Sequence, residues 1–370
     1  MTVRAVDVGE DVRSVDTPAL VVDLDALERN IARMAAFARE RSLRLRPHAK
    51  THKCAAIAQL QIAAGAVGVC VQKTGEAEAL AAQGIDDLYI TNEVVDAVKL
   101  TRVAALADRV QLAIAVDSAL GVERLAHALR AAGTSADVFV EIDVGQGRCG
   151  VPPTQAGALA HQVVAHGLRF AGLQTYHGGA QHLRSAAERE RAVAHAVALT
   201  RAAQAAVTAA GLACPLVTGA GTGSFAHEAA SGVYGELQPG SYVFMDRDYA
   251  DNEPTPHAPA FEHALFVKCQ VMSRGASHVV VDAGHKSHAI DSGPPRVWQR
   301  DLDFANGGDE HGIVCARGGA LPALGETLWL VPGHCDPTVN LHDRIVAVRG
   351  GLEHGVVEAV WPVDARGCAG

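Results

Sequence analysis

The sequence predicts an α/β protein: a (β/α)8 TIM barrel over residues 16–245, followed by an all-β domain over residues 246–370, with residues 1–15 associated with the second part. Three observations carry this. From about Leu43 to Met245, short β-branched runs alternate with Ala-rich stretches whose apolar residues recur at helical spacing. Eight such runs occur, which is the number that closes a barrel. After Asp246 the rhythm changes to short alternating strands separated by Gly, Pro and Asp turns, without helical periodicity between them.

The barrel runs are, in order, LRLRPHAK (43–50), AVGVCVQK (66–73), DLYITNEV (87–94), RVQLAIAVDS (109–118), DVFVEIDVG (137–145), FAGLQTYHG (170–178), PLVTGAG (215–221) and GELQPGSYVF (235–244). The segment DTPALVVDL (16–24) is also strand-like and fits either part. In the second part the strands are FVKCQVMS, SHVVVDAG, TLWLVPGH and DRIVAVRG.

Composition narrows the function classes. With 49% hydrophobic and 20% charged residues the chain buries a sizeable core, and a net charge of −9 disfavours a nucleic-acid surface. The eight cysteines are scattered without C-x-x-C spacing, so they read as reduced thiols. The N-terminus lacks an apolar signal region and no apolar run approaches membrane-spanning length. The expectation is a cytoplasmic protein with a small-molecule substrate.

Barrel enzymes build their sites at the C-terminal ends of the strands, and here those ends are rich in chemistry. The first carries Arg46-Pro-His-Ala-Lys-Thr-His-Lys53. Lys50, flanked by His48, His52 and cationic neighbours, is expected to have a lowered pKa and a nucleophilic amine suited to imine formation. The alternative is a basic steering loop. Lys50 lies nearer the strand than Lys53. The seventh end, Val217-Thr-Gly-Ala-Gly-Thr-Gly-Ser224, and the eighth, Gln238-Pro-Gly-Ser-Tyr242, offer glycine backbone and the hydroxyls of Thr222 and Ser224 to phosphate oxygens. A lysine at strand one and a phosphate cradle at strands seven and eight together imply pyridoxal phosphate.

Three further groups complete the picture. Arg148, after a glycine turn, reaches the cofactor's phenolate oxygen or else pairs with Asp143. In QTYHGGAQH (174–182), Tyr176 can stack near the ring, and His177 and His182 are candidate bases, with His182 favoured. In GHCDPTVN (333–340), His334 and Asp336 at i and i+2 share one face of an extended segment and form an N/O pair suited to Mn²⁺ or Mg²⁺. If the segment is a turn, Cys335 replaces Asp336 and zinc becomes the fitting ion. His285, Lys286 and His288 in DAGHKSHAID, and Glu310 with His311 in DEHG, either line the mouth or decorate turns.

Together RPHAKTHK, TGAGTGS, QPGSYVFMD and the C-terminal β domain resemble the fold-type III pyridoxal phosphate enzymes related to alanine racemase, over about residues 15–365. DAGxK, DEHG and a C-terminal His-x-Asp or His-x-Cys resemble the branch of D-threonine aldolases and of D-serine and 3-hydroxyaspartate dehydratases. The resemblance implies that Lys50 holds the cofactor, that Arg148 meets its phenolate, and that Gly219, Gly221, Thr222, Gly240 and Ser241 bind its phosphate. His334 and Asp336 would hold a divalent cation. Aspartate at 336, where the zinc-dependent dehydratases have cysteine, is the aldolase pattern. The implied reaction is cleavage of a D-3-hydroxy amino acid, D-threonine above all, to glycine and an aldehyde in a homodimer. A 3-hydroxyaspartate aldolase, a dehydratase and a non-catalytic cofactor carrier are the alternatives.

Overall fold

The first strand, β1 (Ala19–Asp23), does not join the barrel. In the computed structural model, which describes residues 6–370, β1 sits in the second sheet between β10 (Leu265–Arg274, antiparallel) and β16 (Arg344–Arg349, parallel). The barrel limit drawn at residue 16 is corrected accordingly. The reason is burial: Leu20, Val21 and Val22 are all buried, so β1 needs a neighbour on both edges and cover on both faces. Within the described part of residues 1–15, the N–H groups of Gly9 and Val12 bond Val357 and Gly355 of the same sheet. Residues 1–5 lie outside the described residues.

The helix Leu24–Glu40 follows directly, with the Asp23 carboxylate accepting the Ala26 N–H at its start. Leu24, Leu27, Ile31 and Met34 form its buried stripe, which packs into a core shared with Leu265, Val267 and Leu330 of the β domain. This helix therefore joins the two halves of the molecule through one continuous apolar interior.

Eight parallel strands then make the barrel: β2 (Arg44–Leu45), β3 (Val69–Val71), β4 (Asp87–Glu93), β5 (Gln111–Val116), β6 (Asp137–Glu141), β7 (Arg169–Gln174), β8 (Val217–Gly219) and β9 (Glu236–Leu237). They pair in the order β2-β9-β8-β7-β6-β5-β4-β3. The ring closes where the N–H of Cys70 donates to Pro47 O at 2.8 Å and that of Val67 to Leu45 O at 2.9 Å. The predicted runs are all present but overreach. LRLRPHAK spends two residues as strand and ends in a single 3-10 turn, Ala49–Thr51, which holds Lys50.

The barrel interior is layered. Cys70, Tyr89, Ala113, Ala115 and Phe139 form an apolar plug. On it rests a hydrogen-bonded layer in which Tyr89 Oη donates to Gln174 Oε1 (3.1 Å) and Gln238 Nε2 donates to Gln174 Oε1 (3.0 Å) and Thr218 Oγ1 (2.7 Å). Thr218 in turn donates to Glu236, whose other oxygen meets the buried Arg46 at 3.2 Å. Each member of that buried pair keeps a second partner, Arg46 in Asp87 (2.5 Å) and Glu236 in Arg44 (3.0 Å), so the four charges form a network and not an isolated pair.

The second sheet contains β1 and β10–β17: β11 (Val279–Val281), β12 (Arg296–Val297), β13 (Leu302–Asn306), β14 (Gly312–Ala316), β15 (Thr327–Val331), β16 and β17 (Val356–Pro362). The linkers between these strands, not the strands themselves, reach the barrel mouth.

Candidate active site

Lys50 lies on the 3-10 turn after β2, and its neighbours are held by buried hydrogen bonds. His48 Nε2 meets Thr91 Oγ1 at 3.0 Å, and His52 Nε2 meets Gln61 Oε1 at 3.3 Å. Burial pushes both imidazoles down, His52 to about 4, so neither is cationic beside the lysine. The nearest charge is instead Asp336, 3.1 Å from Lys50 Nζ. That carboxylate raises the Lys50 pKa against burial, which corrects the expected lowering. Burial works to raise the Asp336 carboxyl as well, and Lys50 and His334 overcome it and hold it far below the carboxylate range. Lys53 points away, toward Glu76 at 3.0 Å.

The two glycine-rich ends meet the same cleft. Gly221, Thr222, Gly240 and Ser241 line it with Lys50. A Cβ at Gly240 would sit 2.6 Å from Thr51 Oγ1, so the chain here has no room for a side chain. Among the described residues, the N–H groups of Gly221, Thr222 and Gly240 donate to no protein acceptor, as an anion cradle requires. Gly219 lies one layer below, its carbonyl taking the Gln238 N–H at 2.8 Å. One expectation is corrected: Ser224 is buried between Gln181 and Glu228 at 2.7 Å from each, outside the cleft. The Tyr242 N–H donates to Thr222 Oγ1 at 3.0 Å.

Arg148 and Tyr176 also line the cleft, the guanidinium 5.7 Å from the ring centroid. Arg148 does not pair with Asp143, whose carboxylate instead accepts the N–H groups of Gly145 and Gly147. It lies 4.0 Å from Glu141. The histidines separate clearly: His182 faces the cleft, while His177 packs beside Gly145 with Nδ1 buried and, among the described residues, without a hydrogen-bond partner.

The β domain supplies the opposite wall. His334 is extended, but Asp336 stands in the first turn of a short helix, Cys335–Val339, so the expected extended i, i+2 geometry is corrected. The two side chains still converge, His334 Nε2 lying 3.7 Å from Asp336 Oδ1. Cys335 faces inward, fully buried, and burial keeps its thiol protonated. Its backbone N–H donates to Asp246 Oδ2 at 2.9 Å, and Asp246 Oδ1 takes the Tyr249 N–H at 3.0 Å. Asp291 Oδ2 meets His334 Nδ1 at 2.7 Å.

One cleft thus collects a lysine amine, a glycine cradle, a guanidinium over a phenol ring and an N/O donor pair. The alanine racemase N-terminal domain family matches residues 22–248, and the putative serine dehydratase domain matches residues 264–348. The chain belongs to the alanine racemase-like enzymes of fold type III. Within this family it is 46% identical to a D-threonine aldolase of an Arthrobacter species, covering 97% of this chain and 95% of that one. It is 43% identical to a 3-hydroxy-D-aspartate aldolase of Paracoccus denitrificans, over 97% and 94%. The crystal structure of D-threonine aldolase from Filomicrobium marinum superposes with a TM-score of 0.96 at 49% identity, covering all of both chains. The family is pyridoxal phosphate-dependent, and the cleft fits that group: an amine, an unfilled set of backbone donors and a cation lie around one space.

Sequence reasoning missed Asp246, Asp248, Asp291, Gln174 and Gln238. Asp246 and Asp248 stand in MDRD directly after the eighth strand end, a position that points to the mouth. Nothing in the spacing around Asp291 marks it. His285 and Lys286 form exposed pairs with Asp309 and Glu310, at 2.9 and 2.7 Å, and His288 is buried against Phe304.

Proposed function

We propose that this chain is a carbon–carbon lyase that cleaves D-3-hydroxy amino acids, D-threonine above all, to glycine and an aldehyde. The observation that carries the reading is the 3.1 Å approach of Lys50, from the barrel, to Asp336, from the β domain. A bare cofactor carrier has no need of that second wall.

In this reading Lys50 holds the cofactor covalently, Gly221, Thr222, Gly240 and Ser241 bind its phosphate with Gly219 supporting the loop, Arg148 meets its phenolate and Tyr176 lies against its ring. Pyridoxal phosphate, when bound, supplies the electron sink that Cα–Cβ cleavage needs. His334 and Asp336 would hold a divalent cation. Their N/O donors favour Mn²⁺ or Mg²⁺ over Zn²⁺, and the ion's charge would acidify a substrate hydroxyl. His182 takes the hydroxyl proton on its free ring nitrogen. The buried Gln174 and Gln238 amides close the floor. The protein is expected to act as a cytoplasmic homodimer; among the described residues no helix is long and apolar enough to cross a membrane.

A product assay tests this. D-threonine, L-threonine and D-3-hydroxyaspartate are incubated with pyridoxal phosphate, with and without Mn²⁺. Acetaldehyde plus glycine from D-threonine is expected. Glyoxylate from 3-hydroxyaspartate in strong preference would move the reading to the aldolase for that substrate, and a 2-oxo acid with ammonia would replace it by the dehydratase.

A further inference from the structure

His182 is half exposed on the short 3-10 turn Gly178–His182, and its ring is held from one side only. Its Nδ1 lies 2.6 Å from Asp248 Oδ2, so that nitrogen is engaged and Nε2 is the one left toward the cleft. Asp248 belongs to a short helix far along the chain, Arg247–Ala250, and its side chain is nearly buried. Its backbone N–H donates to Gly333 O at 3.1 Å, one residue before His334. The other carboxylate oxygen, Oδ1, accepts from Arg184, which also donates to the Asp248 carbonyl and to Asn252 Oδ1. The carboxylate therefore cannot rotate freely: Arg184 fixes Oδ1, and Oδ2 faces the histidine. The Tyr249 ring, 5.9 Å from that of His182, flanks it.

Resting on the aldolase reading, we propose that Asp248 is a positioning residue that holds His182 in the Nδ1–H tautomer and so keeps Nε2 free to accept a proton from the substrate. A neutral imidazole has one donor and one acceptor nitrogen, and the partner of one nitrogen decides the role of the other. A carboxylate can only accept. Its partner nitrogen must carry the hydrogen, whatever substrate is present.

Asp248→Asn inverts this with almost no change of shape. Arg184 needs an acceptor, so the amide oxygen goes to Arg184 and the NH2 faces Nδ1. His182 must then accept at Nδ1 and carry its hydrogen on Nε2, where it can no longer act as a base. For both Asp248→Asn and His182→Ala, kcat on D-threonine is expected to fall by about 10²–10⁴-fold, with KM little changed. The double variant is expected to be no slower than His182→Ala alone, because Asp248 acts only through the histidine. Losses that multiply would overturn the proposal. Independently of activity, ¹⁵N histidine spectra of the wild-type protein at neutral pH are expected to show His182 protonated on Nδ1. A resonance showing Nε2–H sinks the idea even if Asp248→Asn fails to fold. Wild-type protein that makes no aldehyde would count against the aldolase reading, whereas the tautomer spectrum bears on Asp248 alone.

Discussion

The two walls of the cleft are built on different principles. On the barrel wall each functional group is fixed by the strand that precedes it: Lys50 one turn past β2, Tyr176 two residues past β7, the glycines past β8 and β9. On the β-domain wall His334, Asp336 and Asp291 sit on linkers, and carboxylates do the fixing. Asp246 grips the Cys335 N–H, Asp291 grips His334 and Lys50 grips Asp336. Backbone pairing makes the first wall rigid by topology, while the second is only as well placed as its hydrogen bonds. Substitutions should therefore separate cofactor retention, which belongs to the first wall, from metal affinity, which belongs to the second.

The largest expected effect tests the first wall. Lys50→Ala removes the covalent anchor, and activity should fall on the order of 10⁴-fold or more, since no neighbouring amine can replace it. The visible absorbance of lysine-bound cofactor should vanish, and borohydride labelling followed by peptide mapping should find nothing at position 50. Label on Lys53, which the structure turns toward Glu76, would transfer the anchor to the other lysine of the motif.

Next comes the second wall. Asp336→Ala should leave the cofactor absorbance intact while Mn²⁺ affinity, read by calorimetry, falls by more than the ~10–100-fold that outer-shell changes cost. Asp291→Ala should fall inside that ~10–100-fold range, because Asp291 only orients the His334 ring. If either variant instead loses cofactor and keeps the ion, the division between the walls is wrong.

The same contrast explains what the sequence revealed. Eight β-branched runs alternating with helical stretches made the barrel legible, and with it the places of Lys50, Arg148, Tyr176 and His182 in one cleft, because a strand end is a place that periodicity can find. β1 was harder: a buried strand next to a helix looks the same whether its sheet is the barrel or its neighbour. The protonation of Lys50 was not legible at all, since the carboxylate that decides it lies 286 positions away in the chain. Asp248 and Asp291 were missed for a related reason. Each meets a side chain far away along the chain, Asp248 that of His182, 66 positions off, and Asp291 that of His334, 43 positions off, and no local spacing records such a partner.

The smallest expected effect lies beneath the glycine loop and concerns stability alone. Glu228 is buried in the helix Phe225–Ala230, with Oε1 accepting from Ser224 and Oε2 without a hydrogen-bond partner among the described residues. Burial pushes its carboxyl up to about 7, and the Ser224 hydrogen bond only partly opposes this. The acid is thus favoured in the folded state. The stability that this confers is fully present below the unfolded value near 4.5 and is lost as pH rises through about 7. Glu228→Gln keeps the shape and cannot ionise, so its unfolding free energy should stay flat where the wild type declines, by roughly 1–3 kcal/mol between pH 5 and pH 8. Denaturant melts at several pH values measure the difference. Mn²⁺ affinity should be unchanged, because Glu228 supports the loop behind the barrel wall and touches nothing on the other. A decline of equal size in both proteins would place the titrating group elsewhere, with Asp246, raised to about 6 by burial on the opposite wall, as the next residue to substitute.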